Sequence, residues 1–131
     1  MKRTGILHKE LGACLAGIGH YDQLTLVSCL YGIPKEATVI DLALVRGMPK
    51  MKAVLEAIHN EIHIEKLTIA SEMKIHHEEL YRYIDEIFTD TSIEAVPNDS
   101  LKQTAALSKC FIRTGENVIF SNIIIQAGYS V

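Results

Sequence analysis

The chain has 131 residues, of which 48% are apolar and 22% charged, with a formal net charge of −3, a composition that predicts one globular domain with a real core and argues against disorder. Without a Lys/Arg block, that charge also argues against a nucleic-acid partner, because affinity for a phosphate backbone rests on clustered positive charge. No stretch approaches the roughly 20 apolar residues of a membrane span, and "ILHKELGACLAGIG" carries charge and glycine where a secretory signal needs an unbroken apolar region; a cytoplasmic protein is expected. Cys14, Cys29 and Cys110 are odd in number, widely spaced and set in apolar surroundings, so they read as reduced thiols rather than a disulfide frame or a zinc site.

In chain order, Leu7, Leu11, Leu15 and Ile18 recur at helical spacing and predict a first amphipathic helix that closes near residues 17–19, where glycine tolerates the left-handed closing conformation. The apolar runs at 24–29 and 37–44 predict strands. Arg46-Gly47-Met48-Pro49 breaks the chain before a helix over 51–62. Residues 66–73 form the clearest buried strand and residues 76–88 one helix with Leu80, Ile84, Ile87 and Phe88 inward. A strand at 92–97 follows, then a helix with Asn98, Asp99 or Ser100 as its N-cap. Strands at 110–115 and in the very apolar 121–128 close the chain. Strands alternate with helices almost throughout. That alternation predicts a single-domain α/β layered fold, with a largely parallel central sheet flanked by helices on both faces. Ligands of such sheets sit beyond the carboxyl ends of the strands.

Gly19-His20-Tyr21-Asp22 is a polar tip between two core-forming stretches. Histidine titrates near neutrality, and a nearby carboxylate such as Asp22 can orient it. On pattern alone a histidine past a helix end more often meets the last carbonyls. His59 and His63 lie four apart on a predicted helix, but His-x-Glu-x-His turns Glu61 away from the ring pair, so zinc-protease chemistry fails and a solvated helix end is expected. His76-His77-Glu78-Glu79 reads as helix surface, with glutamates suited to a first turn. The polar Arg113-Thr114-Gly115-Glu116-Asn117 ends a strand where a ligand loop would lie. There is no Gly-rich phosphate fingerprint, no Gly-x-Ser-x-Gly elbow and no metal-ligand cluster, so nucleotide cofactors, serine-hydrolase chemistry and zinc are each disfavoured.

Several segments together, "LxxxLAGIGHYD", "GIPKEATVIDLAL", "GMPKMKAVL", "IEKLTIASEMK" and "FIRTGENVIFSNIIIQAG", resemble the D-ribose pyranase and fucose mutarotase family of sugar-ring isomerases. The likeness keeps one register over nearly the whole chain. It implies a cytoplasmic, cofactor-free enzyme that interconverts the pyranose and furanose forms of a free monosaccharide, or its anomers. It also implies a ring-shaped homo-oligomer, commonly a decamer, with the pocket formed between neighbouring subunits. His20 matches the family's proton donor, with Asp22 in support, and Asn122 its sugar-binding amide; the backbone around Phe120 and Ser121 would line the same pocket.

The chain departs from the family pattern at three wall positions. Ser28 stands where a sugar-contacting aspartate is usual, Asn98 where ribose pyranases have a histidine, and Phe120 where they have a tyrosine. Ser28, Tyr31, Asn98 and Asp99 could compensate with a different set of polar groups. Two further readings follow, a non-catalytic sugar-binding relative acting as a regulator or transport accessory, and a structural oligomer or an unrelated activity on the same scaffold.

Overall fold

The computed structural model describes all 131 residues. The elements are α1 (Lys9–Ala16), β1 (Gln23–Val27), β2 (Val39–Asp41), α2 (Met51–His59), β3 (Ile64–Ala70), α3 (Met73–His76), α4 (Glu78–Ile87), β4 (Ser92–Val96), α5 (Asn98–Ala105), β5 (Cys110–Arg113) and β6 (Ile123–Ala127). The strands form one six-stranded sheet in the order β2-β5-β1-β6-β3-β4. The β1–β5, β2–β5 and β3–β4 pairs are parallel, whereas β6 runs antiparallel to both β1 and β3.

Side-chain alternation along the strands sorts the core into two layers. Leu24 and Leu26, Leu67 and Ile69, Cys110 and Ile112, and Ile123 and Ile125 point to the face covered by α1, α2 and α4, where they meet Leu11, Leu15, Leu55, Ile58, Leu80 and Ile84. Val27, Ala70, Phe111 and Ile124 point to the other face and pack against Leu101 and Ala105 of α5. Ile123 and Ile125 are fully buried, so truncating either to alanine costs about 2–5 kcal/mol. The expected layered α/β fold, with both faces of a largely parallel sheet covered, is the fold observed.

Four local expectations are corrected. The helix expected over 76–88 is broken at His77, whose backbone (φ −142°, ψ 65°) leaves the helical region while its ring turns to Ser121. The strand expected over 37–44 shortens to Val39–Asp41, because Asp41 Oδ1 accepts from Ala43 N–H at 3.0 Å and turns the chain away from its one neighbour, β5. The helix expected over 51–62 ends at His59. Pro97 rather than Asn98, Asp99 or Ser100 takes the N-cap of α5, and the Asn98 N–H there donates to the Glu72 carboxylate at 3.0 Å. A carboxylate from another element thus does the capping that a local side chain was expected to do.

Candidate functional site

Two clusters of polar side chains stand out, one at each end of the sheet. At the carboxyl ends of the parallel strands lie Ser28 after β1, Asn98 after β4, and the segment Phe120-Ser121-Asn122 that leads into antiparallel β6. Ser28 N–H donates to Asn122 Oδ1 at 2.9 Å, and Ser28 Oγ accepts from Leu30 N–H at 3.3 Å. Asn122 therefore keeps its two amide N–H groups free of that bond, and Ser28 keeps its hydroxyl hydrogen. Asn98 is 9% exposed, and its Oδ1 is buried with no hydrogen-bond partner in the chain. An acceptor left this way is costly unless something outside the chain fills it.

Phe120 has φ 62°, a left-handed backbone that a non-glycine residue adopts only when its surroundings hold it there. His76 packs edge-on against its ring at 4.9 Å, and His77 Nδ1 is 2.8 Å from Ser121 Oγ. His76-His77 was expected to be plain helix surface; His77 is half-buried and clamps the segment that carries Ser121 and Asn122. Tyr31 packs against Phe111 on the same face, and burial pushes its phenol pKa up.

The second cluster lies at the opposite end, before the start of β1. His20 is not on the carbonyls at the end of α1: Lys109 Nζ takes Gly17 O at 3.0 Å. His20 instead stacks on Tyr21 at 3.7 Å, meets Tyr129 at 4.6 Å, and places Nε2 3.1 Å from Glu65 Oε1. Its side chain is 31% exposed. Asp22 was expected to orient His20. Its carboxylate turns back to accept from Gly19 N–H at 2.8 Å and from Lys109 Nζ at 3.3 Å. The Gly19 hydrogen bond first, and Lys109 second, hold the Asp22 carboxyl below the usual aspartate range. Asp22 thus shapes the loop, and Glu65 touches the ring. Tyr21, with φ 73°, is the second strained non-glycine residue, and its N–H donates to Ala127 O at 3.0 Å.

Glu65 was missed in the sequence because "HIEKL" reads as plain strand. The pairing of β3 with β6 slips between Ile64 and Lys66, so that Glu65 is an extra, unpaired residue, and a bulge leaves no mark in a period-of-two pattern. His63 lies beyond the end of α2, so it shares no helix face with His59. His59 packs on Phe88 at 4.5 Å with Nδ1 buried, which also corrects the expected solvated helix end. An open groove of about 550 Å3 beside His20 is lined by Glu65, Tyr129, His63, Asp90 and Thr91 among others.

The structure places Ser28, Asn98, Phe120, Ser121 and Asn122 at one end of the sheet, with Ser28 bonded to Asn122, and His20 with Asp22 at the opposite end. At about 3.3 Å per residue, the five residues of β1 alone hold the two groups roughly 17 Å apart. Within one chain they do not meet.

Residues 1–130 match the model of the family described as the RbsD / FucU transport protein family. The D-ribose pyranase of Geobacillus thermodenitrificans is 39% identical over 128 residues, which covers 98% of this chain and 97% of its relative. The D-ribose pyranase of Kosmotoga olearia is 37% identical over 129 residues and 98% of each chain. Among solved structures, that of Bacillus subtilis RbsD complexed with D-ribose matches over 100% of both chains, with a TM-score of 0.95 and 30% identity.

Proposed function

The chain belongs to the RbsD/FucU family, and from that premise we propose that it is a sugar-ring isomerase that interconverts the pyranose and furanose forms of D-ribose or a related free monosaccharide, with His20 as the acid–base group. The observation that carries the function is the match over the whole chain to D-ribose pyranases and to a fold seen with D-ribose bound. Ring opening needs little machinery. The ring oxygen gains a proton as the C1–ring-oxygen bond breaks, and the anomeric hydroxyl loses one to leave an open-chain aldehyde. Attack of a different hydroxyl on that carbonyl, with the protons moving in reverse, closes the other ring. A positioned imidazole that takes and returns a proton contributes typically about 10²–10⁴ to such a rate. His20 is open to solvent and touches Glu65 and Tyr129, which line a groove, and this accessibility supports such an exchange.

Sugar binding falls to the other end of the sheet. Asn98 Oδ1 is a vacant acceptor for a sugar hydroxyl, the Asn122 amide supplies donors, and the Ser28 hydroxyl adds one more. The mixture of donors and acceptors suits an uncharged polyol. Because the two groups lie at opposite ends of β1, a complete site draws His20 from one copy and the sugar wall from another. We therefore assign the protein a ring-shaped homo-oligomer, commonly a decamer in this family, with pockets between neighbouring subunits. A cytoplasmic location suits its three free thiols.

The test is NMR magnetisation exchange between the pyranose and furanose signals of D-ribose, with the native protein and with His20→Ala. Exchange accelerated by the former and lost in the latter, with folding and assembly intact, is the expected result. Absence of acceleration with ribose, fucose and other free sugars would overturn it. A rise in melting temperature with sugar but no exchange would leave the non-catalytic binding reading, which rests on Ser28, Asn98 and Phe120.

A further inference from the structure

We propose that Glu65 is the positioning residue for His20: its carboxylate holds the Nε2–H of the ring, and Nδ1 is thereby the nitrogen that exchanges protons with the sugar. The proposal rests on the acid–base role given to His20 above and adds which atom acts and what fixes it.

Four separate features of the chain converge on the pair of Glu65 and His20. First, Glu65 is the extra residue of a bulge, where the register of β3 against β6 slips between Ile64 and Lys66. Bulges re-aim a side chain out of the ordinary alternation, and this one points at the loop ahead of β1. Second, Gln126 Nε2 donates to Glu65 Oε2 at 2.8 Å, which fixes the carboxylate plane and leaves Oε1 for the ring 3.1 Å away. Third, Gly128 clears the space: a Cβ there would lie 3.1 Å from Glu65 Cβ, and the Gly128 N–H donates to His63 O two residues before Glu65. Fourth, Tyr21 stacks on the imidazole at 3.7 Å and Tyr129 leans on it at 4.6 Å, so two aromatic rings brace the imidazole against Glu65.

The tautomer follows from hydrogen-bond chemistry. The bonds from Gln126 and then His20 hold the Glu65 carboxyl below the usual glutamate range, so it is ionised at neutral pH. An ionised carboxylate only accepts. The proton in the 3.1 Å contact therefore sits on Nε2, and neutral His20 carries its lone pair on Nδ1. The groups facing the ring are Glu65 from β3, Tyr21 from its own loop and Tyr129 from the segment after β6. The Asp22 carboxylate is turned to Gly19 N–H and Lys109. No other anion contacts the ring, so one carboxylate sets its orientation. A simple surface ion pair would contribute little to stability and would need neither a bulge, nor a glutamine brace, nor a glycine beside it.

The experiment joins a ring measurement that needs no sugar to a kinetic one. Long-range ¹H–¹⁵N correlation of the native protein at mildly alkaline pH reads the His20 tautomer, and Glu65→Leu, Glu65→Gln and Gln126→Leu are compared with it. Melting temperature and native mass establish that each variant is folded and assembled. The native ring is expected to show a protonated Nε2 and an unprotonated Nδ1, and Glu65→Leu averaged signals from both tautomers. Glu65→Gln, which keeps the shape and loses the charge, is expected to lower kcat roughly 10- to 100-fold with KM little changed, part of the about 10²–10⁴ carried by a positioned acid–base group. Gln126→Leu should lower kcat by less.

A native Nδ1–H tautomer, or ring signals indifferent to Glu65→Leu, would overturn the proposal. So would native kcat in Glu65→Leu alongside an inactive His20→Ala. A His20→Ala variant that retains full exchange would remove the role of His20 itself, and with it any positioning by Glu65. The ring spectra separate that failure from the others.

Discussion

A site shared between copies can be tested by complementation between two inactive chains. The pair is His20→Ala, which removes the acid–base group, and Asn122→Asp, which keeps an oxygen for Ser28 N–H and replaces the amide donors offered to the sugar. Loss of His20 lowers the rate by about 10²–10⁴. Loss of an amide donor to a buried hydroxyl costs about 1–3 kcal/mol, or roughly 5- to 150-fold in kcat/KM. In a randomly mixed oligomer of equal parts, half the chains keep His20 and the other half keep the Asn122 amide. If each site takes one group from each of two copies, about one quarter of the sites in the symmetric ring are intact, and kcat/KM recovers to about a quarter of native. If each site lay within one chain, every site would carry a lesion and nothing would recover. The assay is ribose exchange at low sugar after co-expression, with native mass spectrometry to establish mixed assemblies. Mixed oligomers no more active than the mean of their parents would refute the shared site.

Gly115→Ala is expected to destabilise the fold by about 2–6 kcal/mol, read from the denaturant midpoint. A Cβ there would lie 2.3 Å from Met48 O and 2.5 Å from Met48 C, backbone atoms that cannot swing aside, and the clash would break the bonds from Gly115 N–H to Pro49 O and from Gly47 N–H to Gly115 O. A loss under 1 kcal/mol would count against the close approach. Because the Asp22 carboxyl is held below its ordinary range, its contribution to stability is present above the unfolded value of about 4 and is lost as pH falls through the folded value. The melting-temperature gap between native protein and Asp22→Asn should be constant from about pH 5 to 7 and close in more acid solution; an unchanged gap at about pH 3 would dismiss the linkage. Ser28→Asp restores the usual carboxylate at a 2% exposed position whose hydroxyl already accepts from Leu30 N–H. It should raise kcat/KM for ribose by roughly tenfold, about the worth of one charge-assisted hydrogen bond, whereas a fall would mean a wall rebuilt for another sugar.

The fold was legible because its signals are local and periodic. Leu24, Leu26, Ile123 and Ile125 alternate with residues of the opposite face, and Val54, Leu55 and Ile58 mark one side of a helix. His20 and Asn122 were singled out through motifs that likeness to a family made readable. Their separation was not legible, because no pattern in "SNIIIQAG" says that β6 runs against β1 and β3 and so brings Asn122 to the far end from His20. Glu65 and His77 were missed for a related reason. Each acts through one long-range contact, to His20 and to Ser121, and a hydrogen bond between residues some 45 positions apart leaves no spacing to read.

The two polar clusters share a construction. Each functional segment has a strained non-glycine residue beside it, Tyr21 after His20 and Phe120 before Ser121 and Asn122, and such backbone costs on the order of 1–3 kcal/mol at each position. Each is then pinned to an end of β6. The Tyr21 N–H donates to Ala127 O and the Ala127 N–H to Asp22 O at one end, while Ser28 N–H holds Asn122 at the other. β6 is central, with Ile123, Ile124 and Ile125 all buried, so its two ends are fixed relative to each other by a close-packed part of the core. A site built from two copies works only if each copy delivers its half in a set direction, since misplacement of about 1 Å can cost on the order of 10²-fold in rate. Because both clusters are anchored to opposite ends of one buried strand, a site shared between copies as proposed would place His20 in one pocket and Asn122 in the next through the same central element.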